Sequence, residues 1–139
     1  MKRNVFTVVA LLVLLFGSEC FASGPAVIGG IRDGVALGLM GESGLTNGAA
    51  LRYGFEANTS NTPGIIFVGG KWFLSNLRGG SPMFISGGLI GCFGNNNTAA
   101  GPYISMIFER LFDVAPLFLE CGIDVVKSGS LQFQVGYYF

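Results

Sequence analysis

The stretch that decides the fold is the end of the chain, Leu131-Gln132-Phe133-Gln134-Val135-Gly136-Tyr137-Tyr138-Phe139. Its residues alternate without interruption. One set is apolar or aromatic, namely Leu131, Phe133, Val135, Tyr137 and Phe139, and the other is Gln132, Gln134, Gly136 and Tyr138. Because successive side chains of a strand point to opposite faces, this pattern predicts one β-strand with an apolar face and a more polar face.

A strand of this kind that ends on an aromatic residue has a parallel among membrane proteins. The stretch resembles the C-terminal strand of bacterial outer-membrane β-barrels, whose alternation and final Phe serve as an assembly signal. The resemblance implies that the assembly signal here consists of Phe133, Val135, Tyr137 and Phe139. It also implies two partners, the barrel-assembly machinery and outer-membrane lipid, and a location in the outer membrane of a Gram-negative cell envelope.

The beginning of the chain is predicted to be a secretory signal peptide, residues 1–22. Two basic residues, Lys2 and Arg3, precede an apolar run over 5–16, and a small residue, Ala22, marks the cleavage point. The apolar run is too short for a spanning anchor. Lipoprotein processing at Cys20 is disfavoured on motif grounds. We therefore predict a mature chain, 23–139, that forms one domain.

Composition narrows the class of the mature chain. Half of the whole sequence is hydrophobic and only 12% is charged, yet no apolar run of helix-spanning length follows residue 22. A transmembrane barrel buries apolar surface without such a run, since alternate residues face lipid and strands satisfy each other's backbone groups. No Lys/Arg cluster marks a nucleic-acid partner, so none is predicted.

Turn-forming residues divide the mature chain into eight strand segments: 26–31, 35–42, 48–57, 65–74, 82–93, 103–110, 116–126 and 131–139. The first is the weakest, because Gly29-Gly30 interrupts it. Asp33-Gly34 predicts a tight hairpin turn. An even strand number puts both termini on the periplasmic side of a bacterial barrel. The predicted fold class is all-β, an eight-stranded antiparallel up-and-down transmembrane β-barrel that resembles the OmpX/OmpA-transmembrane type.

The strand parities place a polar network inside the barrel. Its predicted members are Arg52, Glu56, Lys71, Glu109, Glu120, Asp124, Gln132 and Gln134. Buried charges are normally paired, and opposite strands let Arg52 and Lys71 reach Glu120 and Asp124. An eight-stranded lumen is filled by side chains. Inward glycines are expected to make room for the inward aromatics Phe67, Phe73, Phe84, Phe118 and Tyr138.

Other aromatic residues are candidates for interfacial girdles, which anchor a barrel at headgroup level. They are Tyr53, Trp72, Tyr103, Tyr137 and Phe139. The cysteines of the mature chain lie on opposite faces by parity, Cys92 inward and Cys121 outward. No intramolecular disulfide is therefore predicted.

The chain contains no histidine, which removes the usual general base and the commonest metal ligand. We predict no catalytic residues, no metal site and no cofactor, hence no enzyme. The predicted role is structural or surface-interacting, with a side-chain-filled lumen. A soluble periplasmic β-barrel that binds an apolar ligand is the alternative, followed by an envelope-lipid enzyme or a narrow channel. The specific role, the ligand and the oligomeric state stay open at this point.

Overall fold

The computed structural model describes residues 24–44, 47–96, 98–126 and 128–139. The predicted signal peptide lies outside these residues. Eight strands follow one another: β1 Pro25–Arg32, β2 Val35–Gly44, β3 Ala49–Asn58, β4 Gly64–Asn76, β5 Pro82–Phe93, β6 Thr98–Glu109, β7 Leu117–Asp124 and β8 Ser130–Tyr138. A single 3₁₀ turn, Leu111–Asp113, lies between β6 and β7.

The eight strands form a closed barrel. Each strand pairs antiparallel with its neighbours in sequence, and β1 pairs with β8 from Ala26 opposite Tyr138 to Arg32 opposite Gln132. Closure leaves no sheet edge without a partner. The predicted all-β, eight-stranded antiparallel up-and-down fold is therefore confirmed.

The weakest predicted strand is a full member of the barrel. Gly29 and Gly30 lie inside β1, where strands β2 and β8 flank them on both sides. A Cβ on Gly30 would lie only 2.7 Å from the Cα of Gln134 in β8. Glycine here permits a close backbone approach. The residue that weakens the strand signal in the sequence is thus required where the barrel closes.

Most predicted bounds agree with the strands, and β6 differs most. It begins at Thr98, whereas the predicted segment begins at residue 103. Gly101 and Pro102 are poor strand residues, which explains the late predicted start. Both are nevertheless paired with β5, Gly101 with Ile90 and Pro102 with Leu89. Partner strands outweigh local propensity in this case.

The barrel has two ends, which we name by their distance from the chain termini. The proximal end holds the N-terminus of β1, the C-terminus of β8 and the connections 45–48, 77–81 and 110–116. The distal end holds the connections 33–34, 59–63, 94–97 and 125–129. At 33–34, Asp33 and Gly34 have φ angles of 52° and 141°, so the predicted Asp-Gly turn closes this hairpin.

The cysteines lie on the faces that the alternation predicts. Cys92 packs against the buried core of the barrel. Cys121 lies in register between Met106 and Phe133, whose side chains are exposed on the outer face. Both cysteines are free of disulfides, since side chains on opposite faces of a sheet cannot meet.

Candidate functional site

The interior of the barrel holds charged side chains among buried apolar residues such as Ile28, Ile90 and Phe118, and its exterior is apolar. All eight charged residues of the described strands project inward: Arg32, Glu42, Arg52, Glu56, Lys71, Glu109, Glu120 and Asp124. Large hydrophobic residues occupy the outer face of every strand, among them Leu37, Phe55, Val68, Leu89, Ile104, Ile123 and Phe133. Charged strand residues are thus confined to the interior, and large hydrophobic side chains are exposed on the outer face, where a sheet that faces water usually carries polar residues.

Arg52 forms the centre of the polar network. It is fully buried, and its Nη2 donates a hydrogen bond to Glu120 Oε2 at 2.9 Å. Its Nε lies 3.0 Å from Glu42 Oε1. The second oxygen of Glu120 accepts a hydrogen bond from Ser105 Oγ at 2.6 Å. Arg52 thus links strands β2, β3 and β7 across the lumen.

A second cluster lies towards the distal end, around Arg32. Its Nη1 donates to Glu56 Oε1 at 2.8 Å, and its Nε lies 3.7 Å from Asp124 Oδ2. The other oxygen of Glu56 accepts from Gln134 Nε2 at 2.8 Å. Gln134 in turn accepts from Gln132 Nε2 at 2.7 Å. The amides therefore extend the ion pair along β8.

A third cluster closes the proximal end. Lys71 Nζ donates to both oxygens of Glu42, at 3.0 and 2.7 Å, and to Glu109. Tyr138 donates its hydroxyl to Glu42 Oε1 at 2.7 Å. The ammonium group also lies 4.4 Å from the ring centre of Phe84, a cation–π distance. Glu42 is shared by Lys71 and Arg52, so the proximal and central clusters are continuous.

Aromatic rings occupy the remaining space. Phe118 is fully buried and stacks at a tilt on Tyr138, with ring centroids 4.8 Å apart. A Cβ on Gly136 would overlap the Phe118 ring, and one on Gly54 would lie 2.5 Å from Phe67 Cζ. Inward glycine therefore makes room for inward aromatic rings, as predicted. Phe73 differs from the prediction: it is half exposed, beside the bulge of β4 near the proximal end, with its ring edge-on to Phe84.

All eight predicted members of the polar network project into the lumen, but one predicted pairing is wrong. Arg52 reaches Glu120, whereas Lys71 binds Glu42 and Glu109, and Asp124 lies near Arg32 instead. The prediction considered the order of the strands around the barrel, but not the depth of each residue along the barrel axis. Lys71 lies nearer the proximal end of β4, and Asp124 ends β7 at the distal end.

The sequence did not lead us to include Arg32 and Glu42 in the polar network, although the alternation of the strands places both inward. Glu42 has the same parity as Ala36, Gly38 and Met40, the inward face of β2. Arg32 has the parity of Ala26 and Ile28, but the sequence suggested a turn at that position. Glu42 lies inside the predicted segment 35–42, so applying the parity of Met40 to it would have found it, and extending the first segment by one residue would have found Arg32.

The prediction that Tyr103 is an interfacial girdle residue is wrong. It is buried in the lumen, 5% exposed, with its hydroxyl 3.4 Å from Ser86 Oγ. Its parity is that of the inward Ser105 and Ile107. Trp72, Tyr137 and Phe139 are exposed, and Tyr53, in register with Val68, is half-buried on the outer face.

Two cavities flank the filled centre. A distal cavity of about 240 Å³ is lined by Arg32, Asn61, Asp124 and Ser130, among others. A proximal cavity of about 420 Å³ is lined by Glu42, Lys71, Glu109, Tyr138 and the turn residues Ala115 and Pro116. Between them lie Arg52, Glu56, Phe118 and Gln134, all fully buried.

Each of the three cations in the described interior is paired with two carboxylates. Within residues 24–44, 47–96, 98–126 and 128–139, no group of three or more Cys, Asp or Glu side chains is placed to hold a metal ion. The carboxylates at the centre accept hydrogen bonds from Arg, Ser and Gln donors. Such an arrangement stabilises a buried polar core.

Comparisons of the chain with protein-family models, curated proteins and solved structures found no match. No helix in the described part of the chain is long and apolar enough to cross a membrane.

Proposed function

We propose that the chain is a small outer-membrane β-barrel protein whose eight strands span the membrane around a side-chain-filled lumen. The observation that carries the proposal is that the charged residues of the strands lie on their inner face and not on their outer face. Every charged strand residue is directed inward, while the outward positions of the described strands are dominated by apolar and aromatic side chains. In hydrocarbon this outer face is favourable, whereas in water it would be a large exposed apolar patch.

The dimensions of the barrel support the same proposal. The strands contain between 8 and 13 residues, and a tilted strand needs about 9–11 residues to cross the hydrocarbon core. Closure satisfies the backbone groups of every strand, which lipid requires. Among the described residues, the charged ones outside the strands lie in connections at the two ends, at Asp33, Arg78, Arg110 and Asp113.

The resemblance of the terminal strand to those of outer-membrane barrels supports a proposal for how the protein is exported and where it is located. Residues 1–22 would direct export, and the C-terminal strand, through Phe133, Val135, Tyr137 and Phe139, would engage the barrel-assembly machinery. Outer-membrane lipid is then the partner of the outer face. We propose a non-catalytic role, which is supported by the pairing of interior carboxylates with basic and amide donors.

The connections favour a structural role over a broad surface-interaction role. At the distal end they span only residues 33–34, 59–63, 94–97 and 125–129. Connections of two to five residues offer little area to a protein partner. Any ligand contact at the distal end would instead use the mouth of the barrel.

Fractionation tests the proposal against its alternative, a soluble periplasmic barrel. We expect the protein in the outer-membrane fraction, released by detergent but not by high salt or urea washes. Unboiled samples should migrate differently from boiled samples on gels, since a closed barrel resists detergent unfolding. Recovery of the mature protein in the detergent-free soluble fraction would overturn the membrane assignment.

A further inference from the structure

Two segments at the proximal end project from the barrel wall. The first is the end of the β4–β5 hairpin, residues 73–83, which we call the proximal hairpin. Strand β3 pairs with β4 only as far as Ala49 opposite Trp72, and the amide of Phe73 then binds the carbonyl of Gly48. Among the described residues, β4 beyond this point is paired with β5 alone. A Cβ on Gly79, at the tip, would meet no described atom within 4 Å.

The second segment is the connection 110–116, the longest between two strands. Its residues Arg110, Phe112 and Asp113 have φ angles of 56°, 53° and 62°, in the left-handed region that residues with a side chain rarely adopt. No residue of Leu111–Asp113 is buried. Phe112 is 88% exposed, the largest fraction among the large hydrophobic residues described. The backbone thus holds an aromatic ring away from the barrel, where it needs an apolar partner from outside.

Each projecting segment combines exposed apolar side chains with one exposed arginine. Leu77 is exposed beside Arg78, and Phe112 is exposed near Arg110. Neither arginine forms an ion pair with a described residue. Asp113 is the one acidic residue in the sequence of the proximal connections, so cations exceed anions there. Apolar groups beside unpaired cations suit a surface of anionic lipid, which offers acyl chains and phosphate oxygens together.

The depth of the two segments agrees with such a surface. Trp72 and Tyr137 are exposed on the outer face near the proximal end, and Trp and Tyr are typical of the boundary between hydrocarbon and headgroups. The part of β4 that lacks β3 has backbone groups that hydrocarbon could not satisfy, whereas water and headgroups can. The segments are also neighbours on the rim, since only the adjacent strands β5 and β6 separate them.

We propose that the proximal hairpin and the connection 110–116 together bind anionic phospholipid in the leaflet on the side of the chain termini. Phe112 and Leu77 insert at the boundary of the acyl chains, and Arg78 and Arg110 bind phosphate groups. Arginine suits this role because its planar fork of donors matches phosphate oxygens. The inference rests on the proposed membrane location, and it names the lipid class and the leaflet.

The test uses the fluorescence of a single tryptophan. Trp72 is the only tryptophan of the chain, so Trp72→Phe combined with Phe112→Trp places one reporter in the connection 110–116. The protein is folded into phosphatidylcholine vesicles in which one-fifth of the lipid is brominated, either phosphatidylcholine or phosphatidylglycerol. We expect blue-shifted emission that both lipids quench. Quenching by brominated phosphatidylglycerol should be the stronger, corresponding to a local enrichment of about fivefold.

Matched variants assign the lipid preference to the arginines. Arg78→Gln together with Arg110→Gln should abolish the preference for phosphatidylglycerol, while folding and quenching by brominated phosphatidylcholine stay unchanged. Val35→Trp, also combined with Trp72→Phe, is the control at the distal end, where Val35 is exposed on the outer face near Asp33. Both brominated lipids should quench this control equally. Heat-modifiable migration identifies folded variants, and Leu77→Trp replaces Phe112→Trp if the latter does not fold.

The outcomes separate this inference from the membrane assignment. If lipid quenches the Val35→Trp reporter but water surrounds the Phe112→Trp reporter, the inference is overturned and the membrane barrel stands. Equal quenching of Phe112→Trp by both lipids, or a preference that survives both arginine substitutions, also overturns it. Emission that varies with the protein-to-lipid ratio would instead assign the surface to a second copy of the chain. Absence of lipid quenching in both reporters would overturn the proposed function itself.

Discussion

Arg52 is the residue on which the interior depends most directly, because it joins two carboxylates and is 0% exposed. Arg52→Ala leaves Glu42 with Lys71 and Tyr138 as partners, but it leaves Glu120 with only Ser105. Removing one partner of a buried ion pair typically costs about 3–5 kcal/mol. We expect a loss of this size in the free energy of unfolding, measured by urea titration in detergent or lipid vesicles.

Arg78→Ala is the matched control for this measurement. Arg78 is exposed in the proximal connection 77–81, and surface substitutions usually change stability by less than about 0.5 kcal/mol. A common unfolding midpoint for wild type, Arg52→Ala and Arg78→Ala would contradict the stabilising role of the central ion pairs. The barrel fold itself would be unaffected by that outcome.

At the scale of the element, β8 has one face towards the lumen and one face outward. Two residues of the outward face, Val135 and Tyr137, lie at different depths along the barrel axis. Val135 lies near the middle of the strand and Tyr137 near its proximal end, and they are exposed to similar extents, 41% and 46%. In a bilayer, Val135→Arg should cost about 2–4 kcal/mol and Tyr137→Arg about 0–1 kcal/mol. The measurement is the free energy of folding into lipid vesicles.

The depth dependence separates the membrane barrel from a soluble one. In water both positions are comparably exposed, so Arg would be accepted at either with little difference. Equal costs at Val135 and Tyr137 would therefore count against a lipid-facing surface. A larger cost at Tyr137 than at Val135 would show that the depth assignment is reversed.

A substitution at the end of β8 can distinguish a role in barrel assembly in the cell from a role in the stability of the folded barrel. Phe139 is 67% exposed, and its backbone amide donates a hydrogen bond to the carbonyl of Pro25. Phe139→Ala preserves that bond and removes little buried surface. We expect normal refolding in detergent, but less inserted protein and more periplasmic degradation in cells.

Leu131→Ala provides the comparison on the same strand and face, since Leu131 is 77% exposed at the distal end. It should reduce cellular insertion less than Phe139→Ala does. Indistinguishable insertion of the two variants and wild type would make the terminal Phe incidental. A refolding defect in Phe139→Ala would instead assign the residue a role in stability.

At the scale of the whole molecule, the lumen is blocked at its centre. Arg52, Glu56, Phe118 and Gln134 are fully buried between the proximal and distal cavities. We therefore expect no steady conductance of nanosiemens size from the purified protein in planar bilayers. Steady channels of that size would refute the filled lumen and favour the narrow-channel alternative.

The interior charge predicts the character of any residual leak. The inward strand residues comprise three cations, Arg32, Arg52 and Lys71, and five carboxylates, Glu42, Glu56, Glu109, Glu120 and Asp124. The formal excess is two negative charges. Small current steps, if recorded, should be cation-selective in a salt gradient, and anion selectivity would contradict this distribution.

The sequence by itself determined the number of strands, the hairpin turn at Asp33-Gly34 and the inward face of six charged residues. These features are local, because the two-residue period of a strand is written in neighbouring residues. Glu42 and Arg32 obey the same period, although it was not applied to them. The inward glycines beside Phe67 and Phe118 also followed from parity alone.

Only the tertiary structure decided which charges meet, where β6 begins and that Arg32 lies between Glu56 and Asp124. Each depends on the stagger of strands around the barrel, which sets the depth of every residue along the axis. Lys71 and Asp124 share a lumen but lie at different depths, so Lys71 binds Glu42 while Asp124 lies beside Arg32. Alternation specifies a face but carries no information about depth, because depth arises from the pairing of strands distant in sequence.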